Sequence, residues 1–481
     1  MTGQNPSTTT WPRSQSETAI NVSSLPGTMG TTVVTIAYND ETGEDHVVHT
    51  AADRTVCPGA SLAGYSYSTD LGTTWTHGKV HAPEGWAALW GDPSIGHDPR
   101  NPSLVYMVNL AIPNEKMRAC VSGGMGYGQL GGLCVARSVD GGRTFRSAAS
   151  DCLKVTEIDS RGDFLDGSSV AVDSLGNVYV ATHDVSVSPT ELTLPIRAWR
   201  GGASAGDPWT RLVDPFPGHV MGNHPRLAAG GLSLNRMYLM AEDSGGRFQI
   251  GFYEPTRIDM TRQTFMVRAN DVALPDHLSF TRGAMRIGGP EYGLATILPT
   301  ALRADGVRVV YTNNDTRRGH LTVRVATMDL ELTTTTDQPG WSSTALGVNG
   351  DQFHPSIACS PADFQVGVLP SCAISYYSRQ GDPGGATVRV MGGLLGFAGV
   401  TPTFAPTDLT GLREVCPTKP VPGGSIGNDG YWGDYDVMAF AFYTTEKHPR
   451  FVRAYTDSSA GCEYQYPFDS HHQHVSARMF E

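Results

Sequence analysis

One eight-residue pattern occurs twice in this chain, as S-T-D-L-G-T-T-W at Ser68–Trp75 and as S-V-D-G-G-R-T-F at Ser138–Phe145. Each residue type in it has a local task. Asp70 and Asp140 can accept hydrogen bonds from turn amides, and Gly72 and Gly142 can take positive φ. Trp75 and Phe145 each carry a ring to bury between neighbouring sheets. Each copy follows an alternating run, A-G-Y-S-Y-S or G-L-C-V-A-R-S, so each predicts a tight turn joining two strands.

The two copies lie inside a longer repeat. Its unit is an acidic residue or histidine, a short apolar stretch, a gap, and then a β-branched or aromatic run. It begins in turn at Glu17, Asp92, Asp166, His224, Glu291, His354 and Asp434, and successive starts differ by 58 to 80 residues. That period is too long for a solenoid and suits a four-stranded antiparallel blade with long loops. No window keeps a helical period. The expected fold is therefore all-β, a single propeller spanning 1–481. Seven blades follow from seven units, and six if the Glu291 copy, the least regular, is misread. The last unit has three obvious strands. The N-terminal segment, 1–14 and in particular Thr8 to Pro12, is expected to supply its fourth strand and close the ring, leaving no sheet edge exposed.

Composition agrees. Among 481 residues there are 56 Gly and 31 Pro but only 17% charged residues, which reads as many turns and short strands. A net charge of -12 without any basic run opposes binding to nucleic acid. No apolar stretch has the length of a membrane span, and the polar start lacks a signal-peptide core. The chain is then cytosolic, or a mature secreted or periplasmic form with an added Met1. The eight cysteines favour export, since none falls at zinc-ligand spacing and an even number suits disulfides. The spacing pairs Cys120 with Cys134 and Cys359 with Cys372, and more loosely Cys57 with Cys152 and Cys416 with Cys462.

On the two octapeptides and the repeated strand starts, the chain resembles the Asp-box (BNR) propellers of the sialidase superfamily, especially bacterial exported ones with G-D-P, F-x-P and G-D-Y strand starts. The resemblance implies that the boxes lie on the face opposite the functional pocket. It also implies three arginines on a sugar carboxylate, a Tyr nucleophile assisted by Glu, and an Asp acid/base. Arg13, Arg226 and Arg286 stand near strand starts and suit the first role, with solvated or salt-bridged arginines as the alternative. Tyr435 and Tyr292 each follow a leading acid and suit the second, with burial in the core as the alternative. The chain departs from the family in lacking an R-I-P motif; the nearest string, L-P-I-R from Leu194, lies in the third repeat in the wrong order.

If every leading residue opens the innermost strand of its blade, all seven converge at one mouth of the channel. Closely set acids must be protonated, hydrogen-bonded or neutralised by a cation. The oxygen-rich set of Glu17, Asp92, Asp166 and Asp434 favours Ca²⁺, and His224 and His354 admit a transition metal. The alternative is that residues before proline, as in G-D-P, N-H-P and F-H-P, only tie turns.

Three functions fit. In a carbohydrate-active hydrolase, Asp92, Asp166 and Asp434 share the acid, base and nucleophile roles, with Glu291 beside them and a glycan as substrate. Glu17, Arg226 and Tyr435 then bind sugar, and Trp90 and Trp432, each two residues before a leading Asp, offer flat stacking faces or pack between blades. In a polysaccharide lyase or metal-assisted enzyme, His224 and His354 act as base and ligand. In a non-catalytic propeller the same mouth binds a glycan or a protein.

Overall fold

The computed structural model describes 63–69, 74–101, 103–114, 131–155, 165–184, 196–202, 204–216 and 225–229, and elsewhere the strands named below, the short pairs Leu278–Phe280 with Gly283–Met285 and Tyr464–Gln465 with Ser470–His471, the strand Arg413–Glu414, and 380 and 401–410. Among the described residues seven sheets hold four or more strands, all paired antiparallel. Sheet 1 runs Met29–Asn39, Glu44–Asp53, Ala63–Ser68, Thr76–Lys79, and sheet 2 runs Trp86–His97, Val105–Pro113, Gly132–Ser138, Arg146–Lys154. Sheet 3 is Leu165–Val172, Val178–Asp184, Ile196–Gly201, Thr210–Arg211, and sheet 4 is Arg226–Ala229, Met237–Glu242, Arg247–Tyr253, Met260–Arg268. Sheet 5 is Tyr292–Ile297, Arg308–Asp315, Thr322–Asp329, Ser342–Ala345; sheet 6 is built on Gln352–Cys359, Cys372–Ser378, Thr387–Ala398, Thr401–Phe404.

Sheet 7 closes the order. Its first three strands, Met438–Ala441, Arg450–Asp457 and His474–Phe480, come from the end of the chain, and its fourth, Ile20–Asn21, comes from the start. The first strands of consecutive sheets contact one another from sheet 1 through sheet 7, and that of sheet 7 returns to that of sheet 1. This circular succession of meandering sheets is a β-propeller.

Two expectations change here. The segment added to sheet 7 is Ile20–Asn21; Thr8 to Pro12 lies outside the described residues. Glu17, also outside them, therefore precedes an outer strand of the last sheet, and the inner strand of sheet 1 starts only at Met29. The run of alternating residues after Glu17 looked like a first strand because an outer strand alternates as an inner one does.

Layers of apolar side chains between sheets form the core. Every residue of Val105–Pro113 is buried. Its odd positions Val105, Met107 and Ala111 pack with Ala63 and Tyr65 of sheet 1, and its even positions Tyr106, Val108, Leu110 and Ile112 pack with Val170, Val172 and Val180 of sheet 3. A strand covered on both faces needs apolar residues at both parities, hence the run V-Y-M-V-N-L-A-I-P. A buried ion pair ties sheets 2 and 3 as well. Arg137 donates to both oxygens of Asp151, at 2.8 and 3.1 Å, and to the Gly202 carbonyl at 2.9 Å. The indole of Trp209 donates to the same carboxylate at 3.3 Å.

The cysteines pair across strands. Cys359–Cys372 forms as the spacing suggested, between residues directly opposite in sheet 6. The second bond is Cys134–Cys152, again between opposite residues, in sheet 2. It replaces the expected Cys120–Cys134 and Cys57–Cys152, because register and not loop length decides which Cβ atoms meet. Cys416 and Cys462 lie outside the described residues.

At the Ser138–Phe145 turn Gly141 and Gly142 have φ of 68° and 87°. The Asp140 carboxylate accepts from the Ser138 hydroxyl at 2.7 Å, the Thr144 amide at 2.9 Å and the Thr144 hydroxyl at 2.7 Å. Phe145 is buried edge-on against Tyr65 of sheet 1, with centroids 4.9 Å apart. The turn joins the third and fourth strands of its sheet. In an antiparallel meander that end is opposite the one where first strands begin.

Candidate functional site

The inner strand of sheet 2 breaks register at the first leading acid. Gly91 pairs with Leu110 and Ser94 with Val108, so Asp92 and Pro93 together oppose the single residue Asn109. This is a β-bulge. Asp92 sits there with φ of 43°, the one non-glycine with positive φ among the described residues, in a region that aspartate tolerates better than most side chains.

Sheet 3 repeats the feature. Asp166 pairs with His183 and Ser168 with Thr182, leaving Gly167 as the extra residue at φ of 62°. In sheet 6, Phe353 pairs with Tyr377 and Ser356 with Ser375, so His354 and Pro355 bulge opposite Tyr376. In all three strands the bulge is followed by serine. The leading polar residues of these repeats thus share one structural position. Asp166 and His354 lie near the beginnings of their strands, but Asp92 is the seventh residue of its strand, which extends back to Trp86. Asp92 is therefore not a strand start: three register shifts, between Trp86/Ala88, Leu89/Gly91 and Gly91/Ser94, let the strand run on past it.

Hydroxyl groups set the levels of adjacent inner strands. The Ser168 hydroxyl donates to the Asp92 carbonyl at 2.5 Å. Ser94 Oγ accepts from the Val170 amide at 3.1 Å, and Ser169 Oγ accepts from the Leu227 amide at 3.0 Å. The Thr182 hydroxyl holds the Gly167 carbonyl at 2.8 Å. The bulges of Asp92 and Asp166 are thereby adjacent on neighbouring strands. Arg226, which opens the inner strand of sheet 4, stands one residue before the amide bonded to Ser169. Asp92, Asp166 and Arg226 are each partly exposed. Two carboxylates and a guanidinium thus stand on three successive inner strands.

The other expected site residues are placed less fully. Trp90 lies on the strand of Asp92, two residues earlier, and His354 lies in its bulge; their side chains are outside what is described. Tyr292 opens the inner strand of sheet 5, so Glu291 directly precedes that strand. Glu17, His224, Glu291, Trp432, Asp434 and Tyr435 are outside the described residues, as are Arg13 and Arg286. Of the residues considered for a cation, only Asp92 and Asp166 have described side chains. Among the described residues no three His, Cys, Asp or Glu side chains are grouped to hold a metal ion.

Sequence reasoning missed the residues facing the bulges. Asn109, His183 and Tyr376 are 0%, 2% and 1% exposed, each on the second strand of its sheet. Burial pushes the Tyr376 phenol well above its ordinary value. A signal was present in V-Y-M-V-N-L and V-Y-V-A-T-H, where one strongly polar side chain interrupts an apolar strand.

No protein-family model matches the chain, and no curated protein is similar to it at a significant level. Among solved structures, an α-L-arabinofuranosidase from Fusarium graminearum in complex with an iminosugar inhibitor superposes with a TM-score of 0.42 at 11% identity, covering 94% of this chain and 93% of that one. The intramolecular trans-sialidase of Ruminococcus gnavus gives 0.44 at 10% identity, with 72% and 89% covered. The Aleuria aurantia lectin gives 0.37 at 9% identity, with 76% and 88% covered. At such scores these resemblances assign neither family nor chemistry to the chain.

Proposed function

We propose that the chain is a carbohydrate-active hydrolase working at the end of the propeller channel where the bulged inner strands lie. One observation carries this reading: two carboxylate-bearing bulges stand side by side on adjacent inner strands, joined by the hydrogen bond from Ser168 to the Asp92 carbonyl. Glycoside cleavage needs two carboxyl groups about 5–9.5 Å apart, one to protonate the leaving oxygen and one to attack or to activate water. In this reading Asp92 and Asp166 form that pair, with Asp434 and Glu291 reserved for the far side of the ring. Arg226 contacts the substrate, and Trp90 and Trp432 stack on sugar faces.

The supporting features are consistent with one another. Two octapeptides fit the Asp-box turn, and the bonds at Asp140 are those such a turn requires. The strand-to-strand disulfides fit an exported protein, secreted or periplasmic, working outside a reducing cytosol. Ca²⁺ at the ring is the alternative way to neutralise its carboxylates.

The test is to incubate the full chain with aryl glycosides and plant and bacterial polysaccharides, following reducing ends and ultraviolet absorbance. New reducing ends that vanish in Asp92→Asn and Asp166→Asn support the proposal. An ultraviolet band from unsaturated uronides would instead indicate a lyase using His224 and His354. Binding without turnover across the panel would make the protein a glycan-binding propeller.

A further inference from the structure

The inner strands of sheets 2 and 3 match residue for residue from their turn ends. The amide of Asp98 bonds the Leu104 carbonyl and that of Asp173 bonds the Asn177 carbonyl, which closes equivalent turns. Ser94 and Ser169 stand equally far before these aspartates. Each hydroxyl oxygen accepts an amide from the inner strand of the next sheet, Val170 at 3.1 Å and Leu227 at 3.0 Å. Asp92 and Gly167 correspond in the same way, and both have positive φ, 43° and 62°. Glycine takes that conformation freely, whereas aspartate takes it under strain. Strain of this kind collects where a side chain must be aimed.

What holds these two peptides differs. The Gly167 carbonyl is held from within its own sheet, by the Thr182 hydroxyl at 2.8 Å. The corresponding residue of sheet 2 is Asn109, whose side-chain oxygen and nitrogen bond no protein group. The Asp92 carbonyl is held instead from sheet 3, by the Ser168 hydroxyl at 2.5 Å. Ser168 is fully buried and shares its strand with Asp166, which stands just before the Gly167 bulge. One hydroxyl thus binds the strained peptide that bears Asp92 to the strand segment that bears Asp166.

We propose that Ser168 is a positioning residue: its hydrogen bond holds the Asp92 main chain at positive φ and so sets where the Asp92 carboxylate stands relative to Asp166. The proposal rests on the reading of these two aspartates as a working pair, whose separation decides the glycoside chemistry they perform. Catalytic groups misplaced by about 1 Å lose on the order of 10²-fold in rate. Ser168→Ala removes only the hydroxyl. Ser94→Ala is its control, because it removes a tie between the same two sheets, to the Val170 amide, that does not involve the Asp92 carbonyl.

Steady-state kinetics of the full chain, on the aryl glycoside that the wild type cleaves fastest, give the first readout. Ser168→Ala should lower kcat by about 10–10²-fold with KM little changed, the pattern of an interaction realised only in the transition state. Ser94→Ala should lower the urea midpoint as far as Ser168→Ala does and leave kcat per folded molecule unchanged. The second readout is a pair of crystal structures, wild type and Ser168→Ala. Asp92 should keep positive φ in the first, and in the second should leave it and carry its carboxylate away from its place beside Asp166. Equal kcat in the two serine variants, or an Asp92 that keeps its φ and place without the Ser168 hydroxyl, overturns the proposal. Should Ser168→Ala fail to fold, the wild-type crystal structure decides: Asp92 at negative φ, or a Ser168 hydroxyl bonded elsewhere, overturns it, and the bond at positive φ supports it. An unchanged kcat in Ser168→Ala beside an inactive Asp92→Asn would sink the positioning role and leave the hydrolase reading standing. An Asp92 displaced in Ser168→Ala of a protein that cleaves no glycoside would do the reverse.

Discussion

The two ends of sheets 2 and 3 use aspartate in opposite ways. At the turn end each carboxylate serves its own loop. Asp98 accepts from the amides of Arg100 and Asn101 at 2.8 and 3.3 Å, Asp140 from that of Thr144 at 2.9 Å, and Asp173 from those of Leu175 and Asn177, both at 2.9 Å. At the bulge end adjacent inner strands are tied through hydroxyls and main-chain atoms, with Ser94, Ser168 and Ser169 between sheets and Thr182 within sheet 3, while Asp184 on the second strand of sheet 3 accepts from Arg197 at 3.2 Å. A loop can close on a carboxylate only by fixing that carboxylate in place. Asp92 and Asp166 stand beside those ties and are partly exposed, and in the proposed function they act on substrate.

The largest expected effect tests that division directly. Asp92→Asn and Asp166→Asn should each lower glycoside turnover by about 10²–10⁴-fold, the range for losing a positioned acid or base. Stability should change by about 1 kcal/mol or less in urea titrations. If stability falls as far as activity, the bulge carboxylates are scaffold, and the contrast between the two ends collapses.

Next in size is the joint between sheets 2 and 3. Arg137→Met leaves Asp151 buried with only the Trp209 indole as a described donor, and breaking a buried pair from one side costs about 3–5 kcal/mol. Arg137 immediately precedes the Ser138 turn, so the loss should appear in the denaturation midpoint while turnover per folded molecule stays level. A parallel fall in turnover would show that the turn end reaches the site.

A smaller loss, about 3 kcal/mol, is expected when Cys134 and Cys152 are both replaced by Ser, as for a loop of comparable length. Their sequence separation is 18 residues. Cys134 faces Asn109 across the sheet, so this variant also asks whether loosening the second and third strands disturbs the bulge. Turnover per folded molecule should not change if the bulge is held from sheet 3, through Ser168.

How much of this was legible in the sequence follows from the range of the interactions. The turn at Ser138–Phe145 was readable because the side-chain bonds of Ser138 and Asp140 within it join residues no more than four apart. The alternating runs, and the repeat that they head, gave the sheets and their order for the same reason. The bulges were half legible: the D-P and H-P pairs were singled out, but only pairing with the neighbouring strand reveals an extra residue and its φ. The disulfide Cys134–Cys152 was missed because register depends on strands whose offset no local signal states. The role of Ile20–Asn21 was missed because a strand carries no mark of the chain end it will join.

The smallest prediction concerns Asp140, where the turn end can be titrated. Burial raises its carboxyl, but the bonds from Ser138 and from the amide and hydroxyl of Thr144 outweigh that and hold it below the usual aspartate value. A carboxyl depressed in the folded state stabilises the fold above its unfolded value, about 3.9, and the contribution disappears as pH falls through the folded value. Asp140→Asn keeps Oδ1 for the Thr144 amide and puts a nitrogen where Oδ2 accepted the Thr144 hydroxyl. It should cost about 1 kcal/mol near neutral pH, as for a side chain capping backbone amides. The gap to the wild type should close as pH drops from about 4 to below 3. An equal gap at both pH values would mean that the turn needs the shape of the side chain and not its charge, and the two ends would then differ in geometry alone.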